Sequence, residues 1–497
     1  MEMNTETSST ETFYEGRMLI DGRLVESMSG EWLESINPAT EEVIGRVPLG
    51  SSADMDAAVE AGRRAQISWM RLPIPERVKY LHRLAQAIED DAEKIALLEA
   101  RDSGNLLGAM RRDVLNAADR IRFSAGYAYE LKGETIPGSA PNLHMTTRSP
   151  YGIVGRITAF NHPFGFAASK IGAILTAGNA AIIKPAEQSP LSAGLLAELC
   201  GAVLPPGIVN ILTGGRETGR ALVRHPQVKR IAFVGSVSAG RAIQRDASDV
   251  AVKHVTLELG GKNPLIAFSN VSTDKVAEAA VSGMNFTWQG QSCGSTSRLL
   301  LQNDIYDEVV QKILDRVRGI KVGLPHIEGV GMGPINSLAQ HQKVLSYVAL
   351  GKSEGAKLLF GGNIPKGSLY SKGFWIEPAI FGDVTMSMRL AREEVFGPVL
   401  SILRFSTEEE AIAMANDVDF GLTAAVLSRD INQALRVAHR LEAGFVWVNG
   451  VGAHYRNVPY GGVKNSGLGR EEDGVNEIRS YTEEKVINIL VEPSDAL

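Results

Sequence analysis

Residues 152–185 read GIVGRITAFNHPFGFAASKIGAILTAGNAAIIKP. Two short apolar runs, 152–160 and 179–185, flank a stretch, 164–178, whose apolar residues recur at helical spacing. Strand, helix and strand in this length form a crossover unit, which joins two parallel neighbours in one sheet. The pattern continues outward. Ser189 is placed to cap a helix beginning at Pro190, "PPG" ends that helix, and IVNIL (208–212) is the next strand. RIAFVG (230–235) is another strand, leading through Gly235-Ser236 into the helical SAGRAIQRDAS. Strands alternating with helices in this way predict an open parallel α/β sheet.

On the N-terminal side, residues 16–30 alternate apolar and polar around Asp21-Gly22, a hairpin signal, and residues 53–131 carry the stripe of amphipathic helices. The first fifteen positions are polar and acidic and read as a disordered tail. From KNPLIAF onward the second half has the same α/β texture, with strands RLLLQ and GFVWVNG, but no self-similar period. GKSEG (351–355) reads as a polar loop, and SYTEEKVINILVE as an exposed strand able to pair with another subunit.

The chain has 497 residues, 44% apolar and 22% charged, with net charge −6. That balance offers no attraction to nucleic acid or to an anionic membrane surface, and no apolar run reaches a spanning length. Two cysteines argue for a reducing, cytoplasmic setting, and Cys200 sits in an apolar helical pattern as a core residue. The nine histidines show no metal-ligand spacing, so no metal site is expected.

GQSCGSTSR (290–298) presents two nucleophiles. Read from Ser292 it is the G-x-S-x-G elbow of serine hydrolases; read from Cys293 it is a lone thiol among small residues. The elbow needs a strand before it and a helix after it, whereas NFTWQ precedes and the apolar RLLLQ follows. Glu258, in HVTLELGGKN, lies between apolar runs and is either a buried general base or a carboxylate bound by turn amides. Asn161 follows a strand and precedes His162-Pro163, the position of an oxyanion donor or of a turn-forming residue. Lys184 and Glu187 lie past a strand's carboxyl end, where such sheets bind ligands. The Gly235-Ser236 turn opens a helix whose free N–H groups suit phosphate.

Together FNHP, IIKPAEQSP, FVGSVSAG, LELGGKNP, GQSC with Arg298, MGPI, EEVFGPV and PYGGVKNSGLGRE resemble the NAD(P)-dependent aldehyde dehydrogenase superfamily from about residue 16 to 490. The resemblance implies a Rossmann-like cofactor domain (16–130 and 150–260), a catalytic domain (261–460) and a β oligomerisation arm (131–149 and 475–493) making homodimers or homotetramers. It implies Cys293 as nucleophile, Glu258 as general base, and Asn161 with the Cys293 backbone N–H as oxyanion hole. The cofactor residues would be Thr158, Phe160, Lys184, Glu187, Gly214, Gly235, Ser236, Glu394 and Phe396. Lys184 and Glu187 would hold the adenine ribose, and Gly214 would line the adenine side. Ser236 would touch the pyrophosphate, Glu394 the nicotinamide ribose and Phe396 its ring. Lys170 and Glu471 match positions tied to proton relay.

The implied reaction is thiolate attack on an aldehyde, oxidation of the thiohemiacetal to a thioester, and hydrolysis to the acid. Coenzyme-A-acylating relatives lack the carboxylate at 258, so hydrolysis is expected here. Glu187 disfavours a 2′-phosphate, so NAD is expected over NADP. His162, Phe166, Ser169, Trp288, Ser292, His454 and Tyr460 are the expected substrate tunnel. Their mixture suggests an aromatic or hydroxylated aldehyde, or else a carboxylate-bearing semialdehyde held by Arg456. A serine hydrolase using Ser292 and a non-catalytic scaffold on the same fold are the remaining alternatives.

Overall fold

The crossover unit of residues 152–185 is present. Ile153–Ile157 and Ala180–Lys184 are adjacent parallel strands, and every residue of both is buried. The computed structural model describes residues 13–138, 142–471 and 474–490. Among these, an eight-stranded sheet runs in the order Gly467–Leu468, His254–Glu258, Arg230–Val234, Ile153–Ile157, Ala180–Lys184, Val209–Ile211, Met18–Ile20, Arg23–Val25. Its five central strands are parallel, and antiparallel pairings finish both edges. Sheets covered by helices on both faces need apolar strands throughout, which is why IVGRI and AAIIK carry almost no polar alternation.

A second sheet of seven strands orders Lys357–Gly361, Ala379–Gly382, Val399–Phe405, Arg298–Gln302, Pro264–Ala267, Thr423–Leu427 and Phe445–Val448. All but the first are parallel. The chain passes between the sheets through residues 259–263, so Glu258 ends one sheet just before Pro264 opens the other. A third, exposed sheet pairs Thr482–Leu490 with Asn142–Pro150, which also takes Thr135–Ile136. No helix among the described residues is long and apolar enough to cross a membrane.

Several local expectations are corrected. Residues 1–12 lie outside the described residues, but Tyr14–Glu15, expected in a tail, pairs parallel with Val43–Pro48. Residues 475–480 are not arm: Val475–Ser480 is a helix whose Ile478 joins the first core. The helix read over 164–178 breaks into Pro163–Ala168 and Ile171–Thr176 where Lys170 turns inward toward Glu471 and Glu477. GKSEG is not wholly loop, because Leu338–Ser353 remains helical through its first three residues. Ser189 caps nothing: its hydroxyl accepts from the Asn336 amide at 2.7 Å, and Asp102 receives the Leu191 N–H at 2.9 Å instead.

Asp102 belongs to a pair of buried carboxylates tying helices together. Glu99 accepts from the Phe164 N–H at 2.6 Å and from the Ser192 hydroxyl at 2.9 Å. Burial pushes Glu99 up to about 8 and Asp102 up to about 7. The folded chain therefore keeps protons that the unfolded chain releases above the ordinary carboxylate range. Their stabilising contribution is whole in acid and is lost as pH rises toward those values. Thermal unfolding from about pH 5 to pH 8 is expected to show falling stability, by up to about 1.4 kcal/mol per pH unit for each such group. Glu99→Gln removes one contribution and flattens the profile; a slope identical to wild type would contradict this.

Candidate active site

The strand order reverses beside Ile153–Ile157. The chain steps one way through Ala180–Lys184 and Val209–Ile211, then returns to lay Arg230–Val234 and His254–Glu258 on the other flank. A crevice opens at the carboxyl ends of strands where such a reversal occurs. Here those ends deliver Thr158 to Asn161, Lys184 to Glu187, Gly235-Ser236 and Glu258, all but Pro185 bordering one cavity of about 710 Å³. That volume suits a dinucleotide-sized ligand. Cys293, Glu394 and Phe396 border the same cavity, so sequence-distant candidates share one cleft.

One end of the cleft is built to receive a ribose and phosphates. Lys184 is buried, which drives its ammonium down to about 8 against the pull of Glu187. Glu187 is exposed and lies against Gly215, where a Cβ would come within 2.8 Å of its carboxylate. Gly214 does not border the cleft: at φ +144 it packs inward on Thr218, and Gly215 takes the cleft position. Ser236 caps the helix Val237–Ser248, accepting the Ala239 N–H, and so aims the positive end of that helix at the cavity. The hydroxyl of Thr158 is buried and has no partner among the described residues.

Toward the other end, Glu394 reaches over the glycine pair that follows Glu258. It accepts the Gly261 N–H at 2.9 Å, and a Cβ on Gly260 would lie 2.1 Å from its carboxylate. Phe396 has φ +55, a strained conformation for a bulky residue. Gln340 fixes it, donating to the Phe396 carbonyl at 2.7 Å and the Val395 carbonyl at 3.0 Å. The Phe396 ring meets Phe160 edge to face with centroids 5.7 Å apart.

The loop carrying Cys293 is tightly held. Asn285, Gln289 and Gly290 all have positive φ, and a Cβ at Gly290 would strike the Gly397 carbonyl at 2.3 Å. The Asn263 amide donates to the Cys293 carbonyl at 2.7 Å and the Ser295 carbonyl at 2.9 Å. Burial pushes the Cys293 thiol up to about 12, opposed by the Tyr460 hydroxyl 3.8 Å from its sulfur and reinforced by Glu258 and Glu394. Asn161 is buried and its carbonyl is anchored by the Asn105 amide at 3.0 Å.

Both carboxylate oxygens of Glu258 are buried, and neither makes a well-formed hydrogen bond among the described residues. The Glu471 N–H, which faces it, is committed to the Tyr460 carbonyl at 2.9 Å. Burial, reinforced by the negative charge of Glu471, raises Glu258 well above the ordinary carboxylate range. The Glu471 N–H is the backbone donor that faces Glu258, and its effect on the carboxyl is the smallest of those acting there. Glu471 behaves oppositely: burial is overcome by Arg156 and Lys170, which hold it at about 2. A carboxylate pinned ionised by Arg156 is a fixed charge and a poor proton carrier, while Lys170 pairs with Glu477 as well as Glu471.

The expected tunnel residues fall into two aromatic groups rather than the large cleft. His162 meets Phe166 and Trp288 at centroid distances of 5.1 and 5.2 Å. Tyr460 meets His454 at 4.8 Å and Phe445 at 5.5 Å. Ser169 is buried, and Ser292 is half-buried next to Cys293 in the chain. Arg456, expected to hold a substrate carboxylate, donates instead to Asp119 from Nε at 3.0 Å.

Sequence reasoning missed Asn263, Gln340, Lys343 and Gly260-Gly261. The glycine pair beside a buried glutamate was the available signal for a close approach, but its occupant, Glu394, lies 133 residues away from Gly261. Lys343 and Gln340 sit on a helix surface with no local mark of function.

The aldehyde dehydrogenase family model matches residues 24–487. The aldehyde dehydrogenase tropH of Talaromyces stipitatus is 43% identical over 479 residues, covering 95% of this chain and 93% of that protein. Betaine aldehyde dehydrogenase from Staphylococcus aureus, solved in complex with NAD+, superimposes with a TM-score of 0.93 at 35% identity, over 97% of this chain and 96% of that one. An NAD-dependent aldehyde dehydrogenase from Sinorhizobium meliloti gives 0.94 at 35% identity, over 100% and 99%.

Proposed function

The chain belongs to the aldehyde dehydrogenase family, and from that premise we propose that it oxidises an aldehyde to the free carboxylic acid with NAD as acceptor. The observation that carries the hydrolytic half is Glu258, buried beside the cavity that Cys293 also borders, its two oxygens making no well-formed hydrogen bond among the described residues. Lys184 and Glu187 would hold the ribose hydroxyls, Gly235 and Ser236 the phosphates, and Glu394 with Phe160 and Phe396 the nicotinamide end. When bound, the nicotinamide supplies the two-electron acceptor.

The chain's own residues do the remainder. Cys293 Sγ adds to the carbonyl carbon as the thiolate, its proton having left to solvent through the cavity, and the Asn161 amide with the Cys293 backbone N–H would carry the charge that develops on oxygen. Once the carbon is at the acid oxidation level, Cys293 bears a thioester. Glu258 takes a proton from the attacking water, a task that suits a carboxylate raised above the ordinary range and so made more basic. Asn263 keeps the nucleophile loop in register through both half-reactions.

Turnover of an aldehyde panel with NAD and NADP, followed by reduced nicotinamide and by acid product, tests the reading. Acid formed in step with reduced cofactor is expected. No reduction with any alkanal, benzaldehyde or semialdehyde would overturn it, as would product release that requires an added thiol. The carboxylate of Glu187 repels a 2′-phosphate, so NAD is expected to exceed NADP in kcat/KM by roughly tenfold or more, and Glu187→Ser to narrow that ratio. Equal efficiency with the two cofactors would contradict this role for Glu187.

The reading extends to assembly. The exposed Thr482–Leu490 strand, with Val486 and Leu490 open to solvent, is the element we assign to contacts between copies of the chain. Residues 16–130 and 150–260 would form the cofactor domain and 261–460 the catalytic domain. Two free cysteines suit a reducing compartment such as the cytoplasm.

A further inference from the structure

We propose that His162, oriented by Asp113, selects aromatic aldehydes that carry a ring hydroxyl. The proposal rests on aldehyde oxidation at Cys293 and names the substrate class of that site. His162 follows the oxyanion candidate Asn161 directly in the chain, and Trp288 belongs to the turn that leads to Cys293, its carbonyl accepting the Gln291 N–H at 2.7 Å.

The ring of His162 is fixed from one side. Its Nδ1 lies 2.6 Å from Asp113 Oδ2, and a carboxylate only accepts, so the proton sits on Nδ1. In the neutral ring Nε2 is then an acceptor. His162 retains 22% of its side-chain exposure, so this is not a histidine enclosed in the core. Trp288, tilted against His162 with centroids 5.2 Å apart, has an indole N–H that is buried and finds no acceptor among the described residues. An orphaned donor and an oriented acceptor thus stand on neighbouring rings.

A hydroxyl is the substituent that satisfies both, donating to His162 Nε2 and accepting from Trp288 Nε1–H. A carboxylate does not: it only accepts, and it would bring a second negative charge toward Asp113. Arg456, the arginine suggested by sequence to offset that charge, is engaged with Asp119, and the guanidinium of Arg112 lies over the Trp288 ring, 5.9 Å from its centroid. Aromatic surface is present, since Phe166 meets His162 edge to face with centroids 5.1 Å apart, and Tyr460, whose hydroxyl is 3.8 Å from the Cys293 sulfur, lies in the second aromatic group. On this reading an aromatic ring would bring its aldehyde to Cys293 and its hydroxyl to His162 and Trp288.

The test compares kcat/KM for 3- and 4-hydroxybenzaldehyde, 4-methoxybenzaldehyde, benzaldehyde, succinic semialdehyde and hexanal on the intact enzyme with NAD. The better hydroxybenzaldehyde is expected to exceed benzaldehyde by roughly tenfold or more, chiefly through KM, with the methoxy compound near benzaldehyde because it lacks the donated proton. His162→Phe preserves ring packing and is expected to collapse the hydroxyl-to-unsubstituted ratio toward unity, and Asp113→Asn to reduce it. A wild-type ratio near unity, a preference for the semialdehyde, or an unchanged ratio in His162→Phe would each overturn the proposal. Those outcomes leave aldehyde oxidation standing, whereas failure of all six aldehydes would overturn the parent reading and this one together.

Discussion

Replacing Cys293 with alanine is expected to abolish aldehyde oxidation, lowering kcat by about 10⁴-fold or more, because Cys293 is the one thiol bordering the cleft among the described residues. Ser292→Ala is expected to keep activity within about tenfold of wild type, since the hydroxyl lacks a base and its neighbours need only be small. The structural basis is specific. Asn263 holds the Cys293 carbonyl, Tyr460 stands over the sulfur, and the cavity shared with Glu258 and Asn161 opens on the cysteine. Steady-state rates of the two variants, with folding checked by circular dichroism, decide between them. Activity that survives Cys293→Ala and disappears in Ser292→Ala would return the protein to the serine-hydrolase class.

The second large effect concerns Glu258. Glu258→Gln preserves volume and removes the base, so steady-state turnover is expected to fall by about 10²- to 10⁴-fold while the first turnover persists as a burst of reduced cofactor. The pH profile carries a sign. Burial and Glu471 raise this carboxyl, and the base acts only when ionised, so deacylation speeds up as pH climbs through a range above that of an ordinary carboxylate. In the Gln variant that rise disappears. A profile flat from acid to neutral pH in the wild type, or one retained in the variant, would assign the ionisation to another group.

Much of this was legible in the sequence because the relevant signals are local. An apolar strand, a helical stretch and a second apolar strand over 152–185 are enough to imply parallel pairing, and the residues just past each strand end are the ones bordering the cleft. What was not legible depends on contacts between distant segments. Ser189 precedes its helix in the right place for a cap, yet Asp102 makes the bond to Leu191 from another helix. Arg456 looked available to a substrate carboxylate until Asp119 was found to hold it. Gly214 and Gly215 are indistinguishable as letters, and only backbone geometry says which one meets the cavity. Likewise Glu471 and Glu258 are both buried acids, and Arg156 with Lys170 beside Glu471 makes their ionisation opposite.

The central claim is that Cys293 carries the acyl group and Glu258 releases it. Peptide mass spectrometry of acid-quenched Glu258→Gln, mixed with NAD and an aromatic aldehyde, tests this most directly. The account predicts an acyl adduct on the peptide containing Cys293, sited on its sulfur, and absent when NAD is omitted. An adduct on Ser292, or an unmodified peptide despite a burst of reduced cofactor, would contradict it.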